Sequence, residues 1–361
     1  MVAVEPKKRG ENLWGLEDTL VELEYLARSA GAEVIATVSQ RAERITPTYL
    51  GKGKLQELKE LLEDELPDVV ICDDELTPTQ QRNLEAALQI KVIDRTALIL
   101  DVFGRHARTR EGQIQWSHLE RLGGGIGTRG PGETQLETDR RLIRRRIQKI
   151  ESELDDVRKR RSHYLERRRR SSTPMATLVG YTNAGKSTLF NALCDAGVPA
   201  EDQLFNTLDP VTRRLRLPDG NDLLLSDTVG FIQKLSPTVV AAFRATLEEL
   251  SEADLLLHVI DITHPKAPEQ AEVVEQTLAD LDLGGKPRLL VINKMDLLTD
   301  DPADVEMFDR IDLSVISGAE SPAVGGRVFV SAARGWNLPG LLEAVLDQVG
   351  SSVAVSTPAT A

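Results

Sequence analysis

The sequence contains few cysteines and few aromatic residues. Its 361 residues include two cysteines, Cys72 and Cys194, which lie far apart and lack the spacing of metal ligands. A disulfide framework is therefore not indicated, and the two residues are typical of packed thiols in a reducing cytoplasm. Only 4% of the residues are aromatic, so base stacking is not the expected mode of any nucleic-acid binding, and duplex or folded RNA is the more plausible target.

Long apolar runs are also absent. No stretch approaches the ~20 apolar residues that a membrane span needs, and residues 1–10 lack the apolar core of a signal peptide. We therefore expect a cytoplasmic protein without an integral membrane segment. We also expect a monomer.

Charge is distributed unevenly along the chain. The net charge of −13 argues on its own against a nucleic-acid partner, yet residues 140–170 contain 14 Lys and Arg against 5 Asp and Glu. An acidic body with one basic segment is typical of a protein that approaches a polyanion in one orientation.

The most informative motif is a phosphate-binding loop. It follows the apolar run Met175–Val179, precedes an amphipathic helix pattern that starts at Thr188, and consists of Gly180, Tyr181, Thr182, Asn183, Ala184, Gly185, Lys186 and Ser187. This order of strand, glycine-containing loop and helix is that of a P-loop, in which backbone N–H groups and the helix dipole face the phosphates. We expect Lys186 to reach the β- and γ-phosphates and the Ser187 hydroxyl to be a Mg²⁺ ligand.

Three further motifs follow apolar runs and indicate guanine as the base. Asp227 is placed to hold Mg²⁺ through water, and the Gly230 N–H is placed to contact the γ-phosphate. The Asp296 carboxylate can accept two hydrogen bonds from guanine, whereas adenine would leave it desolvated and unpaired. The predicted nucleotide-binding residues beyond the loop are Thr188, Asp227, Thr228, Val229, Gly230, Asn293, Lys294, Asp296, Ser331, Ala332 and Ala333.

The pattern of elements predicts an α/β fold. We expect a small α/β domain with a parallel sheet over residues 1–94, an antiparallel helical hairpin arm over 95–170, a GTPase domain with a mainly parallel sheet flanked by helices over 171–350, and a disordered tail over 351–361. In the first domain we expect a strand over Val34–Val38. Gly51–Lys54 lacks the P-loop spacing, and its two interpretations are a basic turn that faces RNA and a plain surface turn.

The arm combines a regular apolar seam with many arginines. Ile143, Ile147, Ile150, Leu154 and Val157 recur at helical spacing, and residues 123–132 contain six glycines and a proline that exclude a helix there. A solvated linker helix is the alternative, but the seam and the excess of Arg over Lys favour an arm that faces phosphates. The candidate RNA contacts are Arg129, Arg140, Arg141, Arg144 and Arg145.

One segment resembles the connector of the HflX family of GTPases. It runs from Gly123 to Arg141 with the sequence Gly-Gly-Gly-Ile-Gly-Thr-Arg-Gly-Pro-Gly-Glu-Thr-Gln-Leu-Glu-Thr-Asp-Arg-Arg. The domain order is similar too, as are Tyr49–Lys54, Asp73–Leu76 and Gln203–Arg214. The resemblance implies a GTPase that binds the large ribosomal subunit and its rRNA and splits stalled or idle ribosomes after stress. It also implies that the glycine-rich tip approaches the peptidyl transferase centre, and some members are reported to use the N-terminal domain for ATP hydrolysis or RNA unwinding.

The chain departs from the family pattern at two places. Members usually carry an extra leucine-rich helical stretch between the equivalents of Gln115 and Trp116, so the first helix of this arm should be shorter. Many members also have a further C-terminal domain, whose activities are not carried over to this chain.

Two positions bear on hydrolysis. On the family pattern, Thr207 is the candidate switch threonine that closes on Mg²⁺ and the γ-phosphate, with Asp209 and Thr212 as rivals. With Lys186 and Gly230 it completes the predicted catalytic set. Phe231 stands where many GTPases keep a glutamine that orients the attacking water. Because an apolar ring cannot do so, intrinsic hydrolysis should be slow and stimulated by the large subunit.

Three other functions remain open from the sequence alone. They are a GTP-dependent ribosome-assembly factor, a GTP-timed adaptor for a protein partner, and an RNA-remodelling ATPase centred on the N-terminal domain.

Overall fold

The structure is a computed structural model of the chain. It describes residues 1–6, 14–43, 46–106, 173–194, 211–234, 236, 239, 250–304, 316 and 323–356. These residues fall into two units. The first holds the described residues from Met1 to Arg105 together with Lys234, Ser236 and Val239, and the second holds the rest.

The first unit contains a four-stranded, wholly parallel sheet in the order β2-β1-β3-β4. Strands and helices alternate along the chain: β1 (Val2–Pro6), α1 (Leu16–Ser29), β2 (Val38–Ala42), α2 (Lys52–Glu65), β3 (Val69–Cys72), α3 (Pro78–Leu88), β4 (Lys91–Asp94) and α4 (Arg95–His106). The predicted α/β class and parallel sheet of this domain are confirmed.

Helix ends in the first unit follow local sequence signals. Thr77 caps α3, since its hydroxyl accepts from the Gln80 N–H while the Gln80 side chain accepts from the Thr77 N–H. Gly31, just after α1, has a φ of 73°, the left-handed conformation that favours glycine at a helix end.

A buried ion cluster lies among the apolar residues of this unit. The Arg95 guanidinium, 2% exposed, pairs with Glu22 of α1 and with Asp73 after β3. Lys234 pairs with Asp73 and Asp74, and the Tyr49 hydroxyl donates to Asp74 at 2.7 Å. Burial, reinforced by the Asp74 charge, raises the pKa of Tyr49 above its ordinary value, so this hydroxyl stays a donor.

Two local predictions in the first unit were wrong. The strand expected over Val34–Val38 begins only at Val38 and runs to Ala42, and it pairs with β1, which the pattern did not reveal. Lys52, Gly53 and Lys54 form the first turn of α2 rather than a surface turn. Gly53 faces open space there, at an end of the helix where glycine disturbs few contacts.

The second unit contains a six-stranded sheet in the order β10-β9-β8-β5-β7-β6. Its elements are β5 (Met175–Val179), α5 (Lys186–Cys194), β6 (Val211–Arg216), β7 (Asp222–Asp227), β8 (Leu255–Asp261), α6 (Ala267–Asp280), β9 (Arg288–Asn293), a 3₁₀ turn (Met295–Leu297), β10 (Val324–Phe329) and α7 (Leu338–Ser356). All pairings are parallel except β6 with β7. The mainly parallel GTPase-type sheet is as predicted.

The central strands explain why apolar runs identified this sheet. Every residue of β5, β8 and β9 is buried, as expected for parallel strands that are covered on both faces. The carboxyl ends of β5, β7, β8 and β9 therefore meet at one edge of the sheet, where ligands of open α/β sheets bind.

The boundaries of the second unit differ from expectation at its C-terminal end. Helix α7 continues to Ser356, six residues past the predicted boundary at 350. The helical hairpin, its tip at 123–132 and residues 357–361 lie outside the described residues. Within the part of the chain that the structure describes, no helix is long and apolar enough to cross a bilayer.

Candidate nucleotide-binding site

The phosphate loop connects β5 to α5 as the spacing predicts. Gly180 has a φ of 149° and Gly185 a φ of 94°, while Asn183 adopts a left-handed φ of 62°. A Cβ on Gly180 would collide with the Val259 carbonyl, and one on Gly185 with the Asn293 side chain. Both glycines are therefore required by backbone conformation and by close approach.

Lys186 is the first residue of α5 and is 6% exposed. Its ammonium donates to the carbonyls of Gly180, at 3.1 Å, and Tyr181, at 2.7 Å, so the side chain lies back along the loop. Burial lowers the pKa of Lys186 to about 8, and the Asp227 charge partly opposes that shift. A cation held in this way suits an anionic ligand that would stabilise the charged form.

Ser187 and Asp227 bring a hydroxyl and a carboxylate together. Asp227 ends β7, is fully buried, and accepts a hydrogen bond from the Ser187 hydroxyl at 2.8 Å. Thr228, the next residue, donates from its hydroxyl to the Leu178 carbonyl at 2.6 Å and so ties the end of β7 to β5. Oxygen donors of this kind are those that Mg²⁺ prefers, so the residues fit the metal predicted here.

The segment after Asp227 pairs with the phosphate loop through its backbone. The Phe231 N–H donates to the Gly180 carbonyl at 3.0 Å, and the Thr182 N–H donates to the Phe231 carbonyl at 2.7 Å. The Gln233 N–H donates to the Tyr181 hydroxyl, also at 3.0 Å. Gly230 consequently lies against Thr182 and Lys186, in the place expected for a group that senses the γ-phosphate.

Asn293 connects the loop to the base-recognition motifs. Its side-chain amide donates to the Ala184 carbonyl at 2.9 Å, and its side-chain oxygen accepts from the Ala332 N–H at 3.0 Å. The Ser331 hydroxyl donates to Asp296 at 2.6 Å and accepts from the Arg334 N–H at 3.1 Å. The Asp296 carboxylate, which is predicted to accept hydrogen bonds from guanine, is therefore oriented by Ser331 of the next motif along the chain.

The structure assembles most of the predicted site residues at one edge of the sheet. Residues 180–188, 227–230, 293, 294, 296 and 331–333 are all described and lie in or next to the four motifs. Thr207 lies outside the described residues, as do Arg129, Arg140, Arg141, Arg144 and Arg145. Their roles remain predictions, as does nucleotide contact by each residue of the site.

Asp261 is a residue of the site that motif spacing does not predict. This residue ends β8, and its carboxylate pairs with the Lys294 ammonium at 2.7 Å. Lys294 has a left-handed φ of 67°, so the ion pair holds a strained backbone in place between Asn293 and Asp296. The available signal was a carboxylate directly after the run 255–260, which is apolar except for His258.

The chain is similar to known families and proteins along most of its length. Three family models match the chain: one described as GTP-binding GTPase N-terminal over residues 17–104, one as GTP-binding GTPase Middle Region over 106–169, and one as 50S ribosome-binding GTPase over 175–294.

Two curated relatives illustrate the similarity. The chain is 52% identical over 299 residues to GTPase HflX of Caldanaerobacter subterraneus subsp. tengcongensis, which covers 78% of this chain and 70% of the relative. It is 44% identical over 359 residues to GTPase HflX of Escherichia coli K12, which covers 95% of this chain and 81% of the relative. Among solved structures, a GTP-binding protein from Sulfolobus solfataricus in complex with GDP is 25% identical, with coverage of 97% and 98% and a TM-score of 0.47.

Proposed function

Because the chain belongs to the HflX family of GTPases and is a GTP-hydrolysing enzyme, we propose that it binds the large ribosomal subunit in its GTP form and dissociates stalled or idle ribosomes. Hydrolysis then lowers its affinity for the subunit and releases it. This proposal places the protein in the cytoplasm, where ribosomes are found.

The observation that carries the nucleotide part of the proposal is the pair of hydrogen bonds that the Asn293 side chain makes. One side chain holds both the phosphate loop, at Ala184, and the backbone next to the guanine motif, at Ala332. In the proposed complex the phosphates lie on the N–H groups of residues 183–188, Asp296 accepts from guanine, and the backbone that follows Ser331 faces the guanine oxygen. A base that cannot donate to Asp296 would leave this partly buried carboxylate without the hydrogen bonds from the base, which costs about 1–3 kcal/mol or more.

GTPases of this kind generally act with Mg²⁺. Here Ser187 and Asp227 would hold it, Ser187 directly and Asp227 through water, with Thr207 as the proposed third contributor. The ion would supply neutralisation of the charge that develops on the β- and γ-phosphate oxygens.

The ribosomal part of the proposal is supported by the connector sequence from Gly123 to Arg141 and by the basic segment that follows it. It is also supported by the 50S ribosome-binding description of the family model that matches residues 175–294. GTP and subunit binding must be thermodynamically coupled. GTP can raise the affinity for the subunit only by the factor by which the bound subunit raises the affinity for GTP.

The test is cosedimentation with purified 50S subunits and 70S ribosomes in GDP and in a non-hydrolysable GTP analogue. We expect analogue-dependent binding to 50S and conversion of 70S peaks into 50S and 30S peaks. An Asp296→Asn variant, in which the side-chain amide can donate to the 2-oxygen of xanthine, should lose the response to the GTP analogue and respond to the xanthosine analogue.

Other outcomes distinguish the alternatives. Binding to precursor subunits without loss of 70S ribosomes would favour an assembly factor. Subunit affinity that is equal in GDP and in the analogue would contradict the proposal and leave a GTP-hydrolysing adaptor as the better description.

A further inference from the structure

Thr182, the third residue of the phosphate loop, has a buried hydroxyl that no described residue pairs with. The residue is 6% exposed, and its Oγ1 atom has no hydrogen-bond partner in the part of the chain that the structure describes. Its backbone, by contrast, is engaged, since its N–H donates to the Phe231 carbonyl. Buried hydroxyls without partners are uncommon and destabilising, so a threonine retained here needs a reason.

The Thr182 side chain begins where the γ-phosphate is expected. A Cβ built on Gly230 would lie 2.6 Å from the Thr182 Cα, 3.0 Å from the Thr182 Cβ and 2.9 Å from the Lys186 ammonium nitrogen. Thr182, Gly230 and Lys186 therefore surround one small region. Lys186 and Gly230 are the two groups that GTPases direct at the γ-phosphate, and the Thr182 hydroxyl is attached to the Cβ that lies 3.0 Å from the same point.

The region around Gly230 lacks the polar side chain that many GTPases use for hydrolysis. Many GTPases use a glutamine directly after the equivalent of Gly230 to orient the attacking water, and here that residue is Phe231, which is 4% exposed. Its backbone is paired with the phosphate loop and its ring carries no donor or acceptor. The Thr182 hydroxyl can supply both, since a hydroxyl donates one hydrogen bond and accepts up to two.

We propose that Thr182 is a catalytic residue of GTP hydrolysis, whose hydroxyl donates a hydrogen bond to a γ-phosphoryl oxygen as the phosphoryl group is transferred to water. The water oxygen forms a bond to the γ-phosphorus while the bond to the β,γ-bridging oxygen breaks, and its electron pair leaves with GDP. The proton that water loses ends on the released phosphate. Thr182 keeps its own proton and stabilises the charge on the oxygen that it contacts.

The contact distinguishes GTP from GDP, because GDP has no γ-phosphoryl group. Replacement of Thr182 should therefore affect hydrolysis while leaving GDP affinity intact. Thr182→Val removes the hydroxyl at nearly constant shape, and Thr182→Ser retains it. Thr177 offers a matched control, since it is fully buried in the middle of β5 and its hydroxyl also has no partner among the described residues.

The experiment is single-turnover hydrolysis of GTP by the purified full-length protein without ribosomes, with GDP affinity measured on the same samples. We expect Thr182→Val to lower the rate constant about tenfold or more, the consequence of losing one hydrogen bond to a charged group. Thr182→Ser should remain within about threefold of the parent protein, Thr177→Val should match it, and GDP affinity should change less than about twofold in all three.

Several results would overturn the proposal. Hydrolysis by Thr182→Val at the parent rate would remove the hydroxyl from the reaction. A loss of GDP affinity as large as the loss of rate, in Thr182→Val and in a further Thr182→Ala variant, would assign the residue to the shape of the loop instead. Because ribosomes are absent, neither result bears on ribosome dissociation, so this inference and the proposed ribosomal function can fail independently.

Discussion

Lys186 carries its charge in a place from which protein atoms exclude water. Burial lowers the pKa of its ammonium to about 8 from the ordinary lysine value of 10.5, although the Asp227 carboxylate favours the charged form and opposes this shift. A bound di- or triphosphate would bring negative charge next to the ammonium and so favour its charged form. Nucleotide binding should then raise the pKa of Lys186 and be linked to proton uptake.

Proton uptake on GDP binding should depend on pH. At pH 7 the ammonium is protonated with and without nucleotide, so GDP binding should take up almost no proton at Lys186. At pH 9 the free protein has lost most of this proton and the complex has regained it, so uptake should approach one proton. Calorimetric titration with GDP in two buffers of different ionisation enthalpy, at both pH values, measures the difference. Equal uptake at pH 7 and pH 9 would show that the Lys186 charge does not respond to the phosphates.

Motif spacing could predict which residues form the site but not how they contact one another. The eight-residue loop and the residues 227, 293 and 296 are recognisable because each follows an apolar strand, and local order in the chain is enough to place them. The bonds of Asn293 to Ala184 and of Phe231 to Gly180 join positions 109 and 51 residues apart, respectively. Such bonds depend on strand register across the sheet, to which no local pattern is sensitive. The catalytic role proposed for Thr182 also depends on that register, because it rests on the contacts of Thr182 with Gly230 and Phe231.

At the scale of single elements, the first unit depends on a cation that connects two helices and a strand. Arg95 begins α4, and its guanidinium pairs with Glu22 of α1 and with Asp73, which follows β3. All three side chains are nearly inaccessible to solvent. Replacing only the cation would leave two carboxylates buried without it, which is far more costly than losing an exposed ion pair.

We expect Arg95→Met to destabilise the first unit by about 3–5 kcal/mol. Arg41→Met is the matched control, because Arg41 is 73% exposed and pairs with Glu5 at 2.7 Å; that change should cost about 0–1 kcal/mol. Hydrogen exchange of the β1 to β4 amides, measured by mass spectrometry on the full chain, gives the local free energy of opening. An Arg95→Met, Glu22→Gln double variant should recover part of the loss, and no recovery would point to packing of the Arg95 stem rather than charge.

Apolar runs predicted some strands of the second unit and missed two. The runs 175–179, 223–225, 289–292 and 328–330 mark β5, β7, β9 and the end of β10. The interior strand β8 was not predicted although all its residues are buried. The other missed strand, β6, lies at an edge of the sheet among the described strands, exposes Arg213, Arg214 and Arg216, and pairs antiparallel to β7. An edge strand has one open side and can be polar, so hydrophobicity carries little information about it.

At the scale of the whole molecule, the uneven charge should affect how the proposed ribosome binding depends on salt. The chain carries −13 overall, whereas residues 140–170 carry 14 cationic against 5 anionic side chains. If the arm arginines neutralise RNA phosphates, binding releases counterions, and the logarithm of the affinity falls linearly with the logarithm of salt concentration. Each phosphate contact adds about 0.7–0.9 to the magnitude of that slope.

We therefore expect Arg140→Ala, Arg141→Ala, Arg144→Ala and Arg145→Ala, combined in one variant, to reduce the magnitude of the slope by up to about 3. The measurement is the affinity of the GTP-analogue form for purified 50S subunits between low and moderate potassium chloride at constant Mg²⁺. A control variant with alanine at Arg213, Arg214, Arg216 and Arg327, all exposed in the second unit, changes net charge equally and should keep the parent slope. If both variants lowered the slope alike, net charge rather than the arm would govern the approach to RNA, and the arginine-rich segment would be better described as a solvated linker.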